Sequence, residues 1–165
     1  RNHRHVDGHV SQAGSTPLGL AGVTATWWRT ELEPFANIVR DGSADAVLTA
    51  HVFNATLDPN RPATLSGPTI TGILRQELGW DGLVVSDDMQ MGAIRKAFGY
   101  EDALRLAILA GVDMLTIAQQ QVFEVGIVNR TIDLIEGLVA KGSLTEARID
   151  ESYARIGAFK ASLSG

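Results

Sequence analysis

At 165 residues without a cysteine, the chain has room for one domain with a real hydrophobic core, and none for disulfides, thiol catalysis or zinc–thiolate sites. Hydrophobic residues make up 45% and charged residues 20%, the profile of a soluble globular protein. The formal net charge of −5, with 14 Lys and Arg scattered among 19 acids, excludes a nucleic-acid footprint, and no run nears the ~20 apolar residues of a membrane span.

The first five residues, Arg1-Asn2-His3-Arg4-His5, hold no apolar stretch of signal-peptide type, so the expected location is cytoplasmic. From Thr30 to Arg40, Leu32, Phe35, Ile38 and Val39 form one stripe at helical spacing. Ala46–Ala50 is a short, almost continuously apolar run, as expected of a strand buried on both faces. From His51 to Ser66 the turn residues Asn54, Asp58-Pro59-Asn60 and Arg61-Pro62 predict a loop. Ser66 can cap a helix starting near Pro68 and running through Ile70, Ile73, Leu74 and Leu78 to Gly79.

A second strand is predicted at Gly82–Ser86 and a third at Val112–Ile117, with a helix from Glu101 to Ala110 between them, closed by Gly111. Helices over Val125–Ala140 and Thr145–Leu163 finish the chain, separated by the turn Lys141-Gly142-Ser143. Alternating helices and strands of this kind define an α/β fold with right-handed parallel crossovers, either a doubly wound sheet or a barrel. In both, chemistry sits at the carboxyl ends of the strands. His51, the triplet Ser86-Asp87-Asp88, and Ala118-Gln119-Gln120 leave the three strand ends. Asp87 and Asp88 admit two readings: a functional acid beside a bracing residue, or a cap for a helical turn starting at Met89-Gln90-Met91-Gly92.

Several segments together resemble family 3 glycoside hydrolases. They are Asp58-Pro59, Arg61-Pro62-Ala63-Thr64-Leu65-Ser66, Leu74-Arg75-Gln76-Glu77-Leu78-Gly79-Trp80-Asp81-Gly82 and Ser86-Asp87-Asp88-Met89-Gln90-Met91-Gly92-Ala93-Ile94. The match is nearer to the single-domain β-N-acetylglucosaminidase branch. Val23–Trp27 with Glu31, Leu32, Pro34 and Phe35, Ala110–Leu115, and Glu146–Ser152 continue it in one register along nearly the whole chain. The resemblance implies a retaining mechanism, with Asp87 as nucleophile and Asp88 as a support residue. It implies a small-molecule substrate and no cofactor; the four histidines, three of them within the first nine residues, have no carboxylates at metal spacing, so no metal is expected.

The same register brings departures. The family's sugar-binding Lys-His-Phe-Pro-Gly-His-Gly segment falls on Arg4–Val10, retaining His5, Gly8 and His9 and replacing the lysine by Arg4. The Asp-Ser-His of the acid/base loop falls on Ser15, Thr16 and Pro17, which cannot shuttle a proton near neutral pH. Losing that group removes roughly 10²–10⁴ in rate. A complete barrel of this type needs ~200–250 residues, so the resemblance implies a partial (half) TIM-type (β/α) barrel. It would have three to four parallel strands with flanking helices, as a single domain over residues 1–165 corresponding to the C-terminal half.

Such a half leaves sheet edges and one apolar face uncovered. The expectation is a homodimer whose copies cover each other, with Val47, Leu48, Val84, Val85, Met114 and Leu115 as the strand surfaces at stake. Candidate site residues are therefore Asp87, Asp88 and Ser86 for catalysis, and Arg4, His5, His9 and His51 for substrate. Two other functions stay open: an esterase or lipase acting on small acyl esters through Ser86 and a nearby histidine, and a non-catalytic half-barrel remnant. Trp80 is expected in the core or at its rim, one of Trp27 and Trp28 as a packing anchor, and Met89, Met91 and Met114 as gap-fillers.

Overall fold

The computed structural model describes residues 14–16, 19–120 and 122–163. Its main sheet is parallel, in the order β3 (Ala46–Leu48), β5 (Leu83–Asp88), β6 (Met114–Thr116). A second, smaller sheet joins β1 (Gly14–Ser15), β2 (Ala21–Gly22) and β4 (Val52–Phe53), with β2 antiparallel to β1 and parallel to β4. The helices are α1 (Glu33–Arg40), α2 (Gly92–Phe98), α3 (Tyr100–Ala110), α4 (Ile127–Ala140) and α5 (Glu146–Leu163), with a π-helix over Pro68–Glu77. The chain is thus an α/β fold with parallel strands and flanking helices, and among the described residues the strands do not close into a barrel.

The boundaries follow local chemistry. The N-cap is Gly67 rather than the expected Ser66, which stands one residue earlier and accepts the Thr69 N–H at 3.2 Å, and Pro68 starts the helix where its missing N–H is not needed. The winding is wider than α: the Leu78 N–H returns to the Ile73 carbonyl. Gly79 then takes φ +76° and ends the segment. The predicted 51–66 loop is ordered instead by β4 and by a short 3₁₀ turn at Ala63–Leu65. Asp58 Oδ1 accepts the N–H groups of Asn60 and Arg61, and the Thr49 and Thr64 hydroxyls meet at 2.9 Å, fastening the loop to the end of β3.

Period-two alternation decides which strand residues reach the core. Val47, Val84 and Leu115 pack with Ile70, Leu104 and Ala107 on the helix-covered side. Leu48, Val85 and Met114 lie in register in one row on the other side, where Leu48 is 56% and Met114 38% exposed. The expected six-residue open surface is therefore corrected to these three, because Val84 is buried and Val47 and Leu115 are partly buried against the core. Met114 is correspondingly not an interior gap-filler, whereas Met89 is fully buried and Trp80 belongs to the core. Trp28 is exposed and Trp27 only partly covered.

The opposite end of the sheet is closed by charge. Asp113, its side chain fully buried just before β6, accepts from Arg75 at 2.8 Å, Ser152 at 2.9 Å, the Val84 N–H at 3.0 Å and Arg155 at 3.2 Å. Burial draws the Arg75 guanidinium below its usual pKa, and Asp113 opposes that pull. Arg148 completes the cluster through the carbonyls of Ile108 and Val112. These contacts tie α5, which has no buried residue of its own, to the base of β5 and β6. No helix among the described residues is long and apolar enough to cross a membrane.

Candidate active site

The carboxyl end of β5 is irregular in a way that serves the site. Val85 pairs with Met114 and Asp88 with Thr116, so three residue steps of β5 face two of β6. The extra residue makes a β-bulge at Ser86-Asp87, the kind of feature that re-aims a side chain at a sheet rim. Ser86 and Thr116 hold the bulge reciprocally: the Thr116 N–H donates to Ser86 Oγ at 2.9 Å, and Thr116 Oγ1 donates to the Ser86 carbonyl at 2.8 Å.

The two carboxylates part at this point. Asp87 is half-buried and leans towards β3, its Oδ2 accepting the His51 N–H at 3.3 Å and its Oδ1 accepting the Asp88 N–H at 2.8 Å. Asp88 leans towards β6, where its Oδ1 accepts the N–H groups of Gln90 and Ala118, each at 3.0 Å. Its carboxylate thus joins the start of the turn after β5 to the loop after β6. Asp88 fits both readings of the pair, capping the turn at Met89-Gln90 through the Gln90 N–H and bracing the loop after β6 through Ala118, while Asp87 has no capping bond and keeps part of its surface open.

His51 is 5% exposed, and its Nε2 lies 3.0 Å from the Asp88 carbonyl oxygen. A carbonyl can only accept, so the proton sits on Nε2. Burial lowers the imidazole pKa from its ordinary 6.5, against the opposing effects of the Asp88 carbonyl and the charges of Asp87 and Asp88. Nδ1 is buried and has no hydrogen-bond partner among the described residues.

Ser86 is fully buried, with its hydroxyl committed to Thr116, and no hydrogen bond joins it to His51 among the described residues. Nothing in this geometry favours an ester-cleaving serine. Thr16 closes a turn through two bonds with Leu20, donating to its carbonyl and accepting its N–H, each at 3.1 Å. Arg4, His5 and His9 lie outside the described residues. Asp87, Asp88, Ser86 and His51 are the predicted site residues that the structure brings together.

Two further residues shape the site. Thr116 reads in sequence as an ordinary β-branched strand residue, so nothing marks its role at the bulge. Gln90 carries a weak signal, a polar residue between Met89 and Met91. It is 1% exposed, its Oε1 accepting the Gln119 N–H at 2.8 Å and its Nε2 donating to the Val122 carbonyl at 3.3 Å. The loop after β6 is thereby pinned beside Asp88, including Gln119 in its left-handed conformation at φ +54°.

Fold and site together define a parallel α/β domain that presents a half-open carboxylate at the carboxyl end of a central strand, where such domains carry their chemistry. Residues 3–158 match the family model described as the glycosyl hydrolase family 3 N terminal domain, and the chain belongs to that family. It is 32% identical over 122 residues to the beta-hexosaminidase of Shewanella frigidimarina, covering 72% of this chain and 36% of that protein. With the beta-hexosaminidase of Tolumonas auensis it shares 31% identity over 129 residues, 76% of this chain and 38% of the other. Among solved structures, the family 3 beta-N-acetylglucosaminidase from Paenibacillus sp. str. FPU-7 superposes with TM-score 0.75 and 35% identity, over 86% of this chain and 27% of that one. The beta-N-acetylglucosaminidase from Thermotoga maritima gives 0.79 and 29%, over 96% and 34%. The chain spans little more than a third of the length of the curated relatives it matches.

Proposed function

We propose that this chain acts in a retaining glycoside hydrolase of the β-N-acetylhexosaminidase/β-glucosidase type, with Asp87 as nucleophile. The observation carrying this reading is the bulge at Ser86-Asp87, which turns one carboxylate out of the strand while two backbone N–H groups hold it. Asp87 attacks the anomeric carbon, the bond to the leaving-group oxygen breaks, and a glycosyl ester forms that water then hydrolyses. Backbone donors to both carboxylate oxygens fix the direction in which the carboxylate faces. Asp88 braces the loop after β6, and Arg4, His5 and His9 are the proposed sugar contacts; His51, the fourth residue expected to meet substrate, is instead buried with its Nε2 held by the Asp88 carbonyl.

With Ser15, Thr16 and Pro17 at the acid/base position, leaving groups that depart without protonation are the preferred substrates. The chain corresponds to the C-terminal half of a (β/α)8 barrel, as a single domain over residues 1–165. The row Leu48, Val85 and Met114 is proposed to be covered by a second copy, as a homodimer. Sedimentation of a compact monomer at micromolar concentration would refute that arrangement.

The function is tested with a nitrophenyl N-acetylglucosaminide and a nitrophenyl acetate in parallel. Turnover of the glycoside that disappears in Asp87→Ala supports the proposal. Ester turnover that survives Asp87→Ala and disappears in Ser86→Ala would replace it with the hydrolase alternative, and inertness towards both would leave a non-catalytic remnant.

A further inference from the structure

We propose that His51 is a positioning residue for Asp87: its imidazole grips the Asp88 carbonyl and so aims its own backbone N–H at the Asp87 carboxylate. The inference rests on the reading of Asp87 as nucleophile, but its geometry can be tested without any turnover.

His51 stands where the chain leaves one sheet for the other. β3 ends at Leu48, and the last backbone bond from this segment to β5 runs from the Thr49 N–H to the Val85 carbonyl at 2.9 Å. Three residues later Val52 already pairs with Ala21 of β2 in the second sheet. At such a crossing no ladder fixes the direction of the N–H of residue 51. β5, meanwhile, runs on to Asp88, so its last residues would have no neighbour on the β3 side. His51 supplies two donors there, the backbone N–H to Asp87 Oδ2 and Nε2–H to the Asp88 carbonyl. One side chain thereby extends the contact between the two strand ends as far as the nucleophile.

A plain packing role is a poor alternative. An apolar side chain of similar size would fill the same space without leaving Nδ1 buried and unpartnered among the described residues. Keeping a histidine there is explained by what Nε2 does. The β5 tip is held on its β6 side by the Asp88–Thr116 pairing, the Met89 N–H to the Thr116 carbonyl and the Asp88 carboxylate to Ala118, so the β3 side is where His51 adds its contact.

The nitrogen signals of His51 provide the first test, in the intact chain labelled with ¹⁵N. The proposal expects a protonated Nε2 and a bare Nδ1 at neutral pH, with the amide proton of residue 51 shifting as the Asp87 carboxyl is protonated. A proton on Nδ1 instead, or an amide proton indifferent to that carboxyl, would overturn it. Variants give the second test. His51→Gln places an amide N–H2 at the reach of Nε2, whereas His51→Asn falls short. With a nitrophenyl glycoside, His51→Asn should lose about 10–100-fold in kcat with KM little changed, as expected of a misaligned nucleophile. His51→Gln should recover most of the loss. Equal kcat in the two variants and the parent, while Asp87→Ala is inactive, would defeat the positioning role alone. Turnover surviving in Asp87→Ala would defeat the functional reading, and the nitrogen signals would still decide the clamp.

Discussion

Asp113→Ala removes the one acceptor on which the base of the sheet converges. Asp113 has no exposed side-chain surface, and its partners Arg75, Arg148 and Arg155 retain only 12%, 13% and 19% of theirs. Arg75 keeps the carbonyls of Trp80, Gly82 and Gly111, and Arg148 those of Ile108 and Val112, so both stay partly satisfied. The Val84 N–H, which donates to Asp113 Oδ2, loses its partner inside the sheet. Breaking a buried ion pair from one side costs about 3–5 kcal/mol. For a chain of this size the loss corresponds to a melting temperature lower by roughly 6–20 °C, at some 2–4 °C per kcal/mol. Urea unfolding followed by circular dichroism measures it, and Asp113→Asn, which keeps an acceptor oxygen, should fall between parent and alanine. A loss below about 1 kcal/mol, the range of exposed pairs, would refute the view that this aspartate anchors α5.

Ser86→Ala leaves the Thr116 N–H without its acceptor at the bulge and should cost about 1–3 kcal/mol in the same unfolding assay. A Cβ on Gly82 would overlap the buried Trp80 ring, so Gly82→Ala should destabilise by about 1–3 kcal/mol, read as a lower urea midpoint. Leu48→Lys places a charge in the exposed row proposed to meet a second copy and should weaken self-association in sedimentation; association equal to that of the parent would contradict this interface. Because burial lowers the His51 pKa in the folded chain, the unfolded chain takes up the proton first on acidification. Stability should therefore fall as pH drops below the ordinary 6.5, more in the parent than in His51→Gln, and equal slopes would contradict this.

The strand cores were legible because short apolar runs bounded by turn residues have few other uses in an α/β chain. Val84 and Val85 illustrate the limit: the same run contains both, and only the observed pairing tells which one meets the helices. The bulge was not legible at all. It depends on how many residues of β5 face β6, and that count is set by Thr116 folding back on Ser86 across 30 residues of sequence. Asp87 and Asp88 could be ranked from the resemblance, but their separation towards opposite neighbours arises from that bulge. The 51–66 segment read as loop because its turn residues are real, while β4 is too short to leave a periodic pattern. His51 could be placed at a strand end from sequence, although its grip on Asp88 needed the position of β5.

Trapping on Asp87 tests the central proposal most directly. A fluorinated N-acetylglucosaminyl donor with an activated leaving group slows hydrolysis of the glycosyl ester enough for mass spectrometry of the digested chain. The proposal expects one added sugar, on the peptide carrying Ser86-Asp87-Asp88 and on Asp87 within it. A sugar attached to Asp88 or any other residue, or turnover of the donor with Asp87 left unmodified, would contradict it.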